Sequence, residues 1–172
     1  MSLYVLAWLK KDGKLLAKAR AQSPDYFFPS RCHEQIVLEW SLQQSGKDPV
    51  AAYGLGNYFY NLTRHQDAIT AWLRAIEDGA TFPTVFRNLG IATWNLQRDG
   101  EAARKFYLRA LELDAGDPHL ISEYDQLRSK LNDPLAERLE FLEERIDRVL
   151  QRDDCTVALA TLYNLTGNPQ RA

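Results

Sequence analysis

The chain has almost none of the residues from which metal and catalytic centres are usually built. It holds two cysteines and three histidines in 172 residues, with no Cys-x2-Cys and no His-x3-His pair. Cys32-His33 alone falls short of the ligand set a structural zinc needs, so no metal and no cofactor is expected. A Gly-rich phosphate loop and a nucleophile elbow are both missing, and no enzyme is expected. Twenty-one basic residues against 23 acidic ones leave a net charge of −2. That argues against a domain built to neutralise phosphates, so nucleic acid is not an expected partner. No apolar run approaches the roughly 18 residues of a membrane span. The apolar stretch Leu3–Trp8 has no basic segment before it and no small-residue cleavage site, so it is not a secretory signal. A cytoplasmic chain without membrane contact is expected, its cysteines serving as small buried hydrophobes rather than a disulfide. Period-two alternation is absent too, which excludes a sheet.

What the chain has is self-similarity. Leu55-Gly56 recurs as Leu89-Gly90 and Asn61-Leu62 as Asn95-Leu96, each 34 residues later. Ala68, Trp72 and Ala75 recur as Ala103, Tyr107 and Ala110, each 35 residues later, so the second copy carries one inserted residue. A period in this range marks stacked helical units that bury their apolar faces against their neighbours.

Apolar residues at steps of four, three and four give three equivalent stripes: Ala51, Leu55, Tyr58, Leu62; Val85, Leu89, Ala92, Leu96; and Leu120, Tyr124, Leu127, Leu131. Each lies on one face of an α-helix. A longer stripe, Leu135, Leu139, Leu142, Ile146 and Val149, predicts one helix after Asp133. Asp48-Pro49, Asp117-Pro118 and Asp133-Pro134 each place a capping side chain before a proline suited to the first helical position. Gly13, Gly46, Gly79, Gly100, Gly116 and Gly167 fall in the breaks. Before the repeats, 2–11 and 14–22 read as a short helical pair, SPDYFFPS as extended, and Ser30–Gln44 as a helix. The acidic residues from Glu137 to Asp147, interleaved with Arg138, Arg145 and Arg148, predict a salt-bridged solvent face.

These spacings match the pattern Trp-x2-Leu-Gly-x2-Tyr, then Ala-x3-Phe, then Ala. The first unit supplies Ala52, Leu55, Gly56, Phe59, Ala68, Trp72 and Ala75; the second supplies Phe86, Leu89, Gly90, Thr93, Ala103, Tyr107 and Ala110. On these residues the chain resembles the tetratricopeptide repeat (TPR) family. The resemblance implies an all-α solenoid of about ten antiparallel helices in a right-handed superhelix. Gly56 and Gly90 would let paired helices approach, Ala68 and Ala103 would face them, and Trp72 and Tyr107 would fill the space between units. Three regions are expected: a degenerate N-terminal repeat and capping helix over 1–47, two well-matched units over 48–116, and degenerate units over 117–172 with the last truncated. Within the third, Asp125 stands where Gly is expected and Arg128 where an aromatic is. Through SPDYFFP early and EYDQLRSKL, AERLEFLEE and QRDD late, the chain also resembles the C-terminal repeat region of bacterial proteins with an N-terminal domain of unknown function, for which a carbohydrate-related role is suspected.

The family likeness further implies that the first helices of the units line a concave ligand groove. Its residues would be Tyr53, Asn57, Tyr60, Asn61, Arg87, Asn88, Ile91, Trp94 and Asn95. Asn57 and Asn88 match the two Asn positions of the clamp that grips chaperone C-termini. Tyr53, His119 and Glu123 stand where that clamp carries cations, so a terminal carboxylate would lose its main partner. The expected function is a non-catalytic scaffold binding a protein or peptide, or its own N-terminal domain in a longer parent. The alternatives are a spacer or homodimer joined through the truncated last unit, where Leu159 and Leu162 would be exposed, and an accessory module of a carbohydrate-related protein. The chain stops where a further second helix is expected, which suggests an excised piece or an end completed by a partner.

Overall fold

A computed structural model describes residues 1–45 and 47–172; Gly46, expected at a helix break, lies outside the described residues. Among the described residues there are eleven α-helices, two short irregular helical turns and no strand. They divide into two compact units, Met1–Ala92 and Thr93–Ala172. The first holds α1 (Ser2–Lys10), α2 (Gly13–Arg20), α3 (Cys32–Ser45), α4 (Pro49–Asn61), α5 (His65–Glu77) and α6 (Pro83–Ala92). The second opens with a π-helical turn, Thr93–Gln97. It continues with α7 (Gly100–Leu113), α8 (Pro118–Lys130), α9 (Leu135–Glu143), α10 (Ile146–Val149) and α11 (Asp153–Leu165), and ends in a 3-10 turn, Pro169–Arg171.

Antiparallel hairpins are the building unit: α1 packs on α2, α4 on α5, and α8 on α9. The residues expected at the repeat contacts are buried throughout: Leu55, Gly56, Ala68, Trp72, Ala75, Leu89, Gly90, Ala103, Tyr107 and Ala110. A side chain on Gly56 would run into the Trp72 indole, so α4 and α5 meet only because that position has no Cβ. In the three equivalent stripes the first three residues are buried, while Leu62 and Leu96 emerge at the helix ends.

The turns explain how the repeat survives in poorly matched sequence. Thr63, Arg98, Asn132 and Gly167 all have left-handed φ, and they follow one another at steps of 35, 34 and 35 residues. The next residue's N–H bonds back across the turn in three of them: Arg64 to the Phe59 carbonyl, Asp133 to Arg128, and Asn168 to Tyr163. This closure satisfies carbonyls that would otherwise be orphaned at the helix end. The residue inserted in the second copy is absorbed before Arg98, in the π-helical turn, which accommodates one extra residue without lengthening the loop.

Helix starts follow the expected caps at Asp48, which accepts from the Ala51 N–H, and Asp117, which accepts from the His119 N–H. Asp133 departs from expectation. Pro134 is extended, α9 begins at Leu135 without a side-chain cap, and the Asp133 carboxylate is engaged elsewhere. The long helix expected after Asp133 is also broken, at Glu144–Arg145. The Arg145 guanidinium donates to the Phe141 carbonyl at 2.9 Å and lies 4.2 Å from the Phe141 ring, taking the acceptor its own backbone N–H would use. Cys32 is exposed, contrary to expectation, because it is the first residue of α3; Cys155 is buried. Leu159 and Leu162 are likewise buried, and the exposed apolar residues of α11 are Val157 and Leu165.

Asp48 organises the first unit. Its side chain has no exposure to water, yet it accepts from Tyr4 Oη at 3.0 Å, Arg20 Nε at 2.9 Å, Ser41 Oγ at 2.6 Å and the Ala51 N–H at 2.9 Å. One carboxylate thus ties α1, α2 and α3 to the start of α4. Burial, and then the adjacent carboxylate, push the Tyr4 hydroxyl far above its ordinary pKa, so it remains a donor.

The second unit places its charges where the repeat pattern lapses. Asp125, 2% exposed, is held by the Arg138 guanidinium at 2.9 and 2.7 Å. Arg128 donates to Asp133 at 2.8 Å and to the Glu137 carbonyl at 3.1 Å. Arg104 meets Asp133 bidentately at 2.8 and 2.7 Å. The two departures from the family pattern are therefore halves of buried ion pairs between α8 and its neighbours, and Arg138 belongs to these rather than to a solvent face. Arg104 first, and Arg128 after it, hold the Asp133 carboxyl far below the usual carboxylate range.

Two predictions follow from these clusters. Asp48→Ala should cost about 3–5 kcal/mol, because Arg20 is left without its buried partner, whereas Tyr4→Phe should cost about 1 kcal/mol. Urea unfolding of both variants checks this; equal midpoints would remove Asp48 from its central place. In acid, the lowered Asp133 pKa stabilises the fold fully above the ordinary carboxylate value near pH 4. That contribution is lost as the pH falls further, through the folded value. Asp133→Asn should flatten this part of the stability–pH curve, measured by thermal melts between pH 2 and 6.

Candidate functional site

The site is built where the pre-repeat segment 21–31 meets α4, α5 and α6. Two prolines, Pro24 and Pro29, bracket the segment and deny it a helix. Ser23 Oγ accepts from the Asp25 N–H at 3.1 Å, and the Phe27 N–H reaches the Pro24 carbonyl at 3.2 Å, closing a turn. Tyr26 takes left-handed φ at its tip and is 93% exposed. The turn sends Phe27 inward, where it is buried, and leaves Phe28 68% exposed. Phe27 rests on Gly54, where an added Cβ would collide with the ring.

Asn57, on the same face of α4 as Gly54, joins four segments through one amide. Its Nδ2 donates to the Phe27 carbonyl at 2.9 Å, while its Oδ1 accepts from Trp72 Nε1 and from Asn88 Nδ2, both at 3.1 Å. Beyond it opens a cavity of about 270 Å³ lined by Phe28, Asn57, Tyr60, Asn61, Trp72, Asn88 and Ile91. Among the described residues, no charged one contributes to the lining. The Tyr60 ring lies 5.4 Å from Trp72 and 5.0 Å from His65, whose Nδ1 is buried without a partner.

An amide offers two N–H donors and a carbonyl that accepts twice. Asn57 has one N–H left, and Asn88 has one N–H and its carbonyl. Exposed Asn61 makes no side-chain hydrogen bond among the described residues. Polar capacity and ring surface therefore face the same small cavity.

Five of the nine expected groove residues come together here: Asn57, Tyr60, Asn61, Asn88 and Ile91. Tyr53 is buried instead, edge-on to Phe82 with ring centroids 5.0 Å apart. Arg87 is half-buried on α6, outside this lining. Trp94 and Asn95 belong to the second unit, where Trp94 is half-buried with the Arg98 guanidinium 5.6 Å from its ring, and Asn95 is exposed. Repeat register did not assign Phe28 or Trp72 to a groove. Trp72 was expected as packing, and it does both, since its buried indole also walls the cavity. Phe28 lies outside any repeat, and the paired aromatics between prolines are the only sequence signal for it.

A tetratricopeptide repeat family model matches residues 53–118, a span that includes every cavity residue except Phe28. Among solved structures, YrrB, described as a TPR protein with an unusual peptide-binding site, superposes with a TM-score of 0.65 at 17% identity. The match covers 98% of this chain and 78% of that one. MamA gives 0.66 at 15% identity over 79% of this chain and 78% of its own. The Arabidopsis OM64 TPR domain gives 0.57 at 17% identity over 67% and 94%. Residues 53–118 thus match the repeat model, and at these identities the structures establish the fold: an all-α tetratricopeptide repeat fold. No helix among the described residues is long and apolar enough to cross a membrane.

The engagement of each amide predicts different outcomes on truncation. Asn57→Ala leaves the Trp72 N–H and the Phe27 carbonyl unpaired and should destabilise by about 1–3 kcal/mol. Asn61→Ala should stay within about 0.5 kcal/mol of the parent. Denaturant midpoints decide, and similar losses at both positions would mean that Asn61 also holds the fold.

Proposed function

We propose that the chain is a non-catalytic interaction scaffold whose first unit takes an extended segment of another protein, or of a neighbouring domain in a longer parent, in the cavity between α4 and α6. The observation that supports this reading most directly is the coincidence of the Asn61 amide and the remaining N–H and carbonyl of Asn88 with the apolar walls of Tyr60, Trp72 and Ile91. Extended backbone presents alternating N–H and C=O groups that such amides can meet from either side, while ring surfaces seat one side chain. The cavity is at the small end of ligand sites, sized for a side chain rather than a whole small molecule. A terminal carboxylate is a poor occupant, because no cation in the lining would make the charge-assisted bonds it needs. YrrB, which shares the fold, is described as having a peptide-binding site.

Panning a random-peptide display library on the folded protein tests this. Binders are expected, and Asn61→Trp, which fills the cavity from an exposed position, should abolish their capture while the melting temperature is kept. Undiminished capture by that variant would move the site off this cavity.

A further inference from the structure

We infer that Phe28, from the segment that precedes the repeats, is a ligand-contact residue, and that the cavity it walls takes a bulky uncharged side chain of an extended segment. The inference rests on the proposed protein-binding role of the cavity and names its occupant's chemistry.

The first argument is placement. A phenylalanine 68% exposed leaves most of its apolar ring in water, while its neighbour Phe27 is buried. Phe28 is nevertheless held in position. On one side the Phe27 carbonyl is tied to Asn57 and the Phe27 ring is seated on Gly54. On the other, Pro29 is buried and confines Phe28 to extended backbone. A ring fixed at the mouth of a cavity before any ligand arrives adds contact area with little ordering cost on binding.

The second argument is an internal template. Beside the cavity, the same face of α4 already holds an aromatic residue of this chain, Phe27, its ring seated on Gly54 and its backbone carbonyl gripped by the Asn57 amide. The cavity continues that surface with like chemistry: Asn61 and Asn88 amides, ring and alkyl walls, no charge. A segment that binds there would place a Phe- or Leu-like side chain among Phe28, Tyr60, Trp72 and Ile91 and offer its backbone to the two amides. A charged side chain would lose its hydration among these groups with no opposite charge to replace it.

The test is an NMR titration of the full chain with acetyl-Gly-X-Gly-amide, X being Phe, Leu, Ala, Lys or Glu. The Trp72 indole N–H and the Asn61 and Asn88 side-chain amides report binding. The Phe and Leu peptides should shift these signals, with the Lys and Glu peptides at least about fivefold weaker. Phe28→Ala should weaken the Phe peptide about five- to tenfold, Phe28→Leu should stay within about twofold, and Tyr26→Ala, at the adjacent exposed tip, should match the parent. Parent-like binding by Phe28→Ala would overturn the role of Phe28 and leave the cavity as a binding site. Equal binding of the Lys or Glu peptides would overturn the ligand chemistry. No shift with any peptide on the parent chain would overturn the binding reading itself, and this inference with it.

Discussion

A carboxylate removed from water is destabilising by several kcal/mol unless its lone pairs are met by donors of good geometry. Asp48 meets that condition with donors from four segments: a phenol from α1, a guanidinium from α2, a hydroxyl from α3 and a backbone N–H from the first turn of α4. None of the four is useful to the carboxylate unless its helix stands in the right place, so the cluster selects one arrangement of α1, α2 and α3 around the origin of α4. Everything downstream on that helix inherits the arrangement. Gly54 and Asn57 lie two and three turns on, and they receive the pre-repeat segment because the helices carrying that segment are already anchored at Asp48. The cavity is thus defined by a polar interaction at the far end of the helix that lines it.

The repeat itself was legible because stacking hairpins pose the same steric problem each time. Gly56 leaves the room the Trp72 indole needs, and Gly56 and Ala68 recur in the sequence as Gly90 and Ala103, both buried. Such requirements are local in size and regular in spacing, which a sequence displays. The Asp48 cluster was not legible, since its side-chain donors lie 44, 28 and 7 residues away and look like ordinary surface residues. Asp133-Pro134 shows the same limit more sharply. It is the same dipeptide as Asp48-Pro49 and Asp117-Pro118, yet its carboxylate is drawn to Arg104 and Arg128 instead of capping a helix. Capping is worth about 1 kcal/mol, and two guanidinium groups in a half-buried pocket outbid one backbone N–H. Unlike Gly167, the left-handed residues Thr63 and Arg98 were invisible for another reason. Thr63 and Arg98 have side chains that disfavour that conformation, and only the register of the helices on either side imposes it.

Loss of the repeat pattern in α8 need not mean loss of the packing it encodes. Where the first unit uses a glycine under a tryptophan, α8 uses Asp125 under Arg138, and where an aromatic is expected it uses Arg128, whose guanidinium lies 5.9 and 5.6 Å from the Tyr124 and Phe141 rings. A planar guanidinium can occupy an aromatic position and still satisfy its donors at the edge, which an ammonium cannot do. The substitution exchanges close-packed volume for paired charge. It is more sensitive to acid, and it ties α8 to α9 through specific directions rather than through fit alone.

In the cavity the division between structure and function follows from how many polar atoms each amide has engaged. Asn57 has three partners, so its replacement would strip the Trp72 indole, the Asn88 amide and the Phe27 carbonyl at once. Asn61 engages none among the described residues, and Phe28 borders the opening with 68% of its surface exposed. Asn61 and Phe28 can therefore be changed with little effect on folding, whereas Asn57 must keep its identity for these segments to stay joined. A site organised this way separates its invariant frame from its adjustable rim, because hydrogen bonds already made inside the chain cannot also be offered to a partner.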